Sequence, residues 1–146
     1  MAGLSVLVTR PRAQAGPLLR RLKALGAGPV PAPLVKTVPP ASWDALDACL
    51  RRLGSYDAVV FASANAAEAF FARARTLLGR RPAPPSAVYA VGAATARALA
   101  DAGWTGALLP DAFDGPSLAR RMGRVRGLRV LIPRSSLGRA ELPRLL

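Results

Sequence analysis

Four turns in this sequence put hydroxyls, a glycine or arginines directly after short apolar runs. Thr9-Arg10 follows Val6-Leu7-Val8, and Ser63-Ala64-Asn65 follows Ala58 to Ala62. Gly92-Ala93-Ala94-Thr95 follows Val88 to Val91, and Arg134-Ser135-Ser136 follows Leu128 to Ile132. A strand that ends in such a turn and opens a helix leaves unpaired backbone N–H groups pointing outward, which attract anions. Arg10, Arg134 and Arg139 add guanidinium groups able to grip a carboxylate in a two-pronged contact. Each residue also has a plainer role: Ser63 or Asn65 as a helix N-cap, Thr95 as a first-turn hydroxyl, Arg10 or Arg139 as a solvated cation. Their position after strands is what selects them.

Much other chemistry is excluded. The sequence has no histidine and a single cysteine, Cys49, so His-based triads, Cys/His dyads and ordinary zinc sites are out of reach. Carboxylates are few. Asp44, Asp47 and Asp101 are expected on helical surfaces, Asp57 before a strand, and Asp111 and Asp114 in a loop, with no pair suited to acid/base work. No phosphate-binding GxxxxGK[ST] loop occurs, and Gly92-Ala93-Ala94-Thr95 lacks the glycine spacing of a dinucleotide fingerprint. What remains suits a polyanionic ligand that is oriented more than it is protonated.

The charge balance agrees. Net charge is +13, and lysine contributes only Lys23 and Lys36. The arginines run from Arg10 to Arg144 and pairs such as Arg20-Arg21 and Arg51-Arg52 fall on ordinary helix faces, with few aromatics to stack bases. A nucleic-acid module would concentrate that charge, so no nucleic-acid partner is expected. The lone Cys49 suits a reducing compartment, and no uncharged apolar run reaches membrane-spanning length. The expectation is a cytoplasmic protein with no membrane partner.

Elements that position the turns follow from periodicity. Leu18, Leu19, Leu22 and Leu25 share a helical face closed by Gly26, and a proline-rich connector from Pro29 to Pro40 has room for an edge strand around Leu34 to Val38. A helix begins near Ser42 and carries Trp43, Leu46, Leu50 and Leu53. Another after Ser63 has Phe70, Phe71, Ala74 and Leu77 inside; a small-residue helix follows Gly92 and closes at Gly103; a short strand is expected at Leu108-Leu109, a helix after Gly115-Pro116, and a last strand at Leu128 to Ile132. Apolar strands alternating with amphipathic helices predict an α/β fold with parallel sheets covered on both faces. Ligands of such sheets lie beyond the carboxyl ends of the strands, and if the four turns belong to sheets facing one another they line one cleft.

The opening Leu4 to Pro11 recurs near the end as Leu128 to Arg134, and the sequence stops at Leu146, soon after the second copy begins its helix. This reads as an incomplete two-part protein.

At these residues the chain resembles the uroporphyrinogen-III synthase family. The resemblance rests on Val6 to Pro11, Tyr56 to Ala66, Val88 to Ala96, and Val130 to Arg134 continuing through Gly138-Arg139 to Leu142-Pro143, in that order across nearly the whole chain. The family is similar to two flavodoxin-like α/β domains, the first strand-helix-strand unit belonging with the C-terminal part. The resemblance therefore implies residues 1–36 as an incomplete first domain and 37–146 as most of the second, lacking its final strand. It implies cyclisation of hydroxymethylbilane to uroporphyrinogen III with inversion of ring D, without cofactor or metal. It further implies Arg10, Ser63, Asn65, Gly92, Arg134 and Arg139 as binders of the substrate's carboxylates and Thr95 as a hydrogen-bond donor near the chemistry. The tyrosine the family favours as proton donor has no counterpart in Tyr56 or Tyr89. An unpartnered first domain invites self-association. A non-catalytic α/β module binding anions or a partner is the alternative.

Overall fold

The computed structural model describes residues 3–135, 138 and 141–146. The chain divides into two compact units, Met1–Ala41 and Ser42–Leu146.

In the first unit, β1 (Ser5–Val8) leads into α1 (Arg12–Ala24), which ends at Gly26 with φ 76°, and returns as β2 (Gly28–Pro31). The two strands are parallel, Ser5 opposite Gly28 and Val8 opposite Pro31. Val8, Ala15 and Ala27 are buried, while Leu7 and Val30, opposite each other in the register, stay 62% and 49% exposed. The strand expected around Leu34 to Val38 lies earlier in the chain, and the prolines explain why. Pro29, Pro31 and Pro33 fall on alternate positions, so residues on the other positions, Gly28, Ala32 and Leu34 among them, can donate N–H to the carbonyls of Leu4, Val8 and Thr9. The N–H groups that proline lacks are those an edge strand turns to solvent.

The second unit opens with Ser42 accepting the Asp44 N–H at 3.0 Å ahead of α2 (Asp44–Arg51), followed by a 3₁₀ turn at Leu53–Ser55. Then come β3 (Ala58–Phe61), α3 (Ala64–Leu78), β4 (Ala87–Ala90), α4 (Ala93–Asp101), α5 (Gly115–Met122), β5 (Val130–Leu131) and α6 (Glu141–Leu145). The sheet is parallel, in the order β4-β3-β5. All four residues of β3 are buried. Val59 and Phe61 join Leu50, Phe70, Phe71, Leu99 and Trp104 in one cluster, and Val60 faces the other way onto Leu118 and Leu142. An alternating strand with apolar contacts on both sides is the signature of a doubly covered sheet.

Two expected strands are shorter than their apolar runs, for a common reason. Leu108 makes a single bridge to Tyr89, donating to Val88 O at 2.8 Å and accepting from Ala90 at 3.0 Å. The next donor would be Pro110, which has none. β5 likewise stops ahead of Pro133.

The core around Trp104 is aromatic. Its ring meets Phe71 edge-on at 4.9 Å and Phe70 at 5.6 Å, and its indole N–H donates to Pro82 O at 2.9 Å. Asp47, expected on the surface, is instead buried and held by Arg73 of α3 through paired bonds to both carboxylate oxygens, with the guanidinium lying 5.6 Å from the Trp43 ring.

Candidate functional site

The chain leaves β3 to one side for β4, then crosses back to place β5 on the other side of β3. This reversal creates a switch point between β3 and β5, where the segments that follow the two strands diverge and leave a crevice beyond their carboxyl ends. Ser63 follows β3 and Arg134 follows β5, with the Gly92 turn beyond the adjacent β4. The second unit thus brings Ser63, Asn65, Gly92, Thr95 and Arg134 to one edge of one sheet. Arg10 follows β1 in the first unit and is exposed. Arg139 and Ser136 lie outside the described residues.

The helix starts at this edge are not alike. Ser63 caps α3, its Oγ accepting the Ala66 N–H at 3.2 Å. Asp114 caps α5, its carboxylate accepting from the Ser117 N–H at 2.7 Å, and that bond holds its pKa below the usual carboxylate value. α4 begins at Gly92 with no side-chain cap. Its first N–H groups are therefore open to an anionic group, and the helix dipole adds to the attraction. Gly92 is extended, with φ −170°, and its missing side chain lets Phe113 rest on it: ring carbons lie 3.4 and 3.6 Å from where a Cβ would stand.

Thr95, in the first turn of α4, is only 4% exposed, and its hydroxyl makes no hydrogen bond among the described residues. Arg134 is exposed and uses one terminal nitrogen to donate to Gly138 O at 2.8 Å, leaving its other donors available. Asn65 is half-buried in the first turn of α3.

The residues that sequence reasoning missed come from the loop before α5. Phe113 reaches the Gly92 turn, and its loop neighbours Asp111 and Ala112, with Ser117, Arg120 and Arg121 of α5, line an open depression of about 520 Å³. Arg120 is tethered there by a 2.7 Å bond to the buried Ser117 hydroxyl. The sequence led to a helix after Gly115-Pro116 with Asp114 in the loop before it, and Asp114 proves to be the cap of that helix; nothing in the sequence shows that Phe113 packs back on Gly92. Among the described residues no group of three or more His, Cys, Asp or Glu side chains is arranged to hold a metal ion.

The family model for uroporphyrinogen-III synthase HemD matches residues 17–146. A uroporphyrinogen-III synthase from Synechococcus elongatus is 33% identical over 142 residues, covering 97% of this chain and 54% of that protein. One from Chlorobaculum parvum is 30% identical over 149 residues, covering 97% and 57%. A porphyrin biosynthesis protein HemD of Ruminiclostridium josui is 32% identical over 118 residues, covering 80% and 23%. The crystal structure of uroporphyrinogen III synthase from Thermus thermophilus superposes with a TM-score of 0.62 at 19% identity, covering 99% of this chain and 56% of that one, so the fold is shared. The chain spans about half the length of the Synechococcus and Chlorobaculum synthases, 54% and 57%.

Proposed function

The chain belongs to the uroporphyrinogen-III synthase family, and on that premise we propose that it serves the cyclisation of hydroxymethylbilane to uroporphyrinogen III with inversion of ring D. The observation that carries this reading is the uncapped start of α4 on the same sheet edge as Ser63 and Arg134, an edge built for carboxylates and poor in acids and bases.

Hydroxymethylbilane takes up a proton and loses its hydroxyl as water to give a cationic azafulvene-like species, whose electrophilic carbon is attacked by the pyrrole at the other end of the molecule to form a spiro intermediate; this reopens and closes again, releasing a proton. Holding the two ends of one linear molecule in register supplies much of the acceleration such a ring closure needs. In this reading the α4 N-terminus at Gly92, the Ser63-Asn65 turn and the guanidinium groups of Arg10, Arg134 and Arg139 bind peripheral carboxylates. Arginines are kept for the periphery because a positive charge beside the developing cation would raise its energy. Thr95 donates a hydrogen bond to the departing hydroxyl, for which its place in the first turn of α4, with no hydrogen bond of its hydroxyl among the described residues, is the support.

Residues 1–36 are read as part of one domain and 37–146 as the larger part of another. The exposed Leu7 and Val30, and a β1 that pairs only with β2 among the described residues, support self-association through the first unit. A molar mass that rises with concentration in light scattering is the expected sign, and a monomer throughout would count against it. A cytoplasmic location goes with the same reading.

The test is an anaerobic assay of the purified chain with freshly generated hydroxymethylbilane, separating type III from type I uroporphyrin after oxidation. Type III above the non-enzymatic background is expected; type I alone would favour a non-catalytic anion-binding module.

A further inference from the structure

We propose that Phe113 is a substrate-contacting residue, its ring packing against a pyrrole of the bound tetrapyrrole and supporting positive charge that develops there. This rests on the proposed function and extends it to a residue with no charge and no hydroxyl.

Phe113 is anomalous among the phenylalanines. Phe61, Phe70 and Phe71 are 0%, 1% and 8% exposed in the aromatic core, whereas Phe113 is 67% exposed, the most of any large apolar residue described in the second unit. A lone exposed apolar side chain needs no explanation by itself. Here both its anchoring and its position call for one. Just after it, Asp114 donates its N–H to Ala112 O at 2.9 Å and caps α5 with its carboxylate, and just before it in the loop Pro110 is buried. On one side the ring rests on Gly92, at the uncapped start of the helix that carries Thr95. A fixed loop thus holds an aromatic ring, one side supported and the rest in solvent, at the sheet edge where the carboxylate-binding groups converge.

The electrostatics of that edge give the ring a task. The α4 N-terminus and Arg134 are positive and suit carboxylates, but they oppose a cation on the tetrapyrrole. Asp114 is engaged in its cap. An aromatic face is negative at its centre, attracts a delocalised cation, and stacks on a neutral heteroaromatic ring without repelling nearby carboxylates. Phe113 can therefore accept the pyrrole both before and after it becomes charged.

The probe is uroporphyrin, an octacarboxylate tetrapyrrole, titrated into the full chain and into Phe113→Ala, Phe113→Leu and Phe113→Trp, each matched to wild type in thermal melting. The side chain is largely exposed, so all three are expected to fold. Loss of the ring should weaken binding about tenfold in both the Ala and Leu variants. The Trp variant should bind like wild type and show emission quenched by the porphyrin. Ala and Leu variants that bind like wild type would overturn the role of Phe113 and leave the carboxylate site standing. A wild-type chain that binds no uroporphyrin would overturn both.

Discussion

Asp57 and Arg129, distant in sequence, hold each other through their backbones and one carboxylate: the Asp57 N–H donates to Arg129 O at 2.9 Å, and Asp57 Oδ2 accepts the Arg129 N–H at 2.7 Å. The pair sits at the entry of β3 and β5 and sets their register, Ala58 opposite Val130. Because β5 has only two residues, this clamp does much of the work of keeping Arg134 at the sheet edge. Asp57→Ala should lower stability by about 1 kcal/mol, the usual worth of a hydrogen bond to a charged group discounted for exposure. Urea denaturation reads the loss, and amide exchange should accelerate first at Val130 and Leu131. Unchanged exchange in β5 would mean the strand is held by its apolar contacts alone.

The Asp47–Arg73 pair makes stability sensitive to acid. The Arg73 hydrogen bond holds the Asp47 pKa below its ordinary 3.8, so the folded state binds this proton less readily than the unfolded chain. The stabilisation is complete above the unfolded value and fades as pH falls through the lower folded one. Wild type should therefore exceed Asp47→Asn in melting temperature at neutral pH, with the gap narrowing as pH falls below the ordinary value of 3.8 and through the lower folded one. A gap that stays constant through that range would show that the carboxylate charge is not what Arg73 recognises.

Ser63 has two jobs that substitution can separate. Ser63→Ala removes the α3 cap and should cost about 1 kcal/mol. Ser63→Asp keeps a capping oxygen and suits the helix dipole, so stability should hold or rise. The same aspartate puts a negative charge where substrate carboxylates are to bind, and should weaken uroporphyrin binding at least as much as the alanine does. Equal binding by wild type and the aspartate variant would remove Ser63 from the site and leave it a cap.

Thr95 is tested by keeping its shape. Thr95→Val preserves the buried volume but removes the hydroxyl, whereas Thr95→Ser keeps the donor and loses a methyl. If Thr95 assists the departing hydroxyl, the valine variant should lose about tenfold or more in type III formation with uroporphyrin binding unchanged, and the serine variant should retain most activity. A larger loss in serine than in valine would assign Thr95 to packing.

Most of the architecture was legible because it follows from periodicity. Val59, Val60 and Phe61 read as a strand buried on both faces, and Phe70, Phe71 and Ala74 as the inner side of α3. The turns after the strands were legible too, since Ser63, Gly92 and Arg134 directly follow apolar runs. Where the reading failed, backbone donors decided. The strand sought at Leu34 to Val38 forms at Gly28–Pro31, because alternation of prolines leaves the right N–H groups toward β1, and the run at Leu108-Leu109 shrinks to one bridge at Pro110. Asp47 looked like a surface charge because its partner Arg73 is on another helix. Phe113 was invisible for the same reason: its meaning lies in Gly92, on a turn that precedes it by a whole helix.

The central claim is that polycarboxylate tetrapyrroles bind at the carboxyl ends of β4, β3 and β5. It is tested most directly by titrating uroporphyrin into isotopically labelled chain and following backbone amide resonances. The account predicts shifts concentrated at Ser63 to Ala66, Gly92 to Thr95, Phe113 and Asp114, and Arg134, with the opposite sheet edge at Asp57 and Arg129 undisturbed. Shifts scattered over the exposed arginine pairs Arg20-Arg21 and Arg51-Arg52, with none at Gly92 to Thr95, would contradict it.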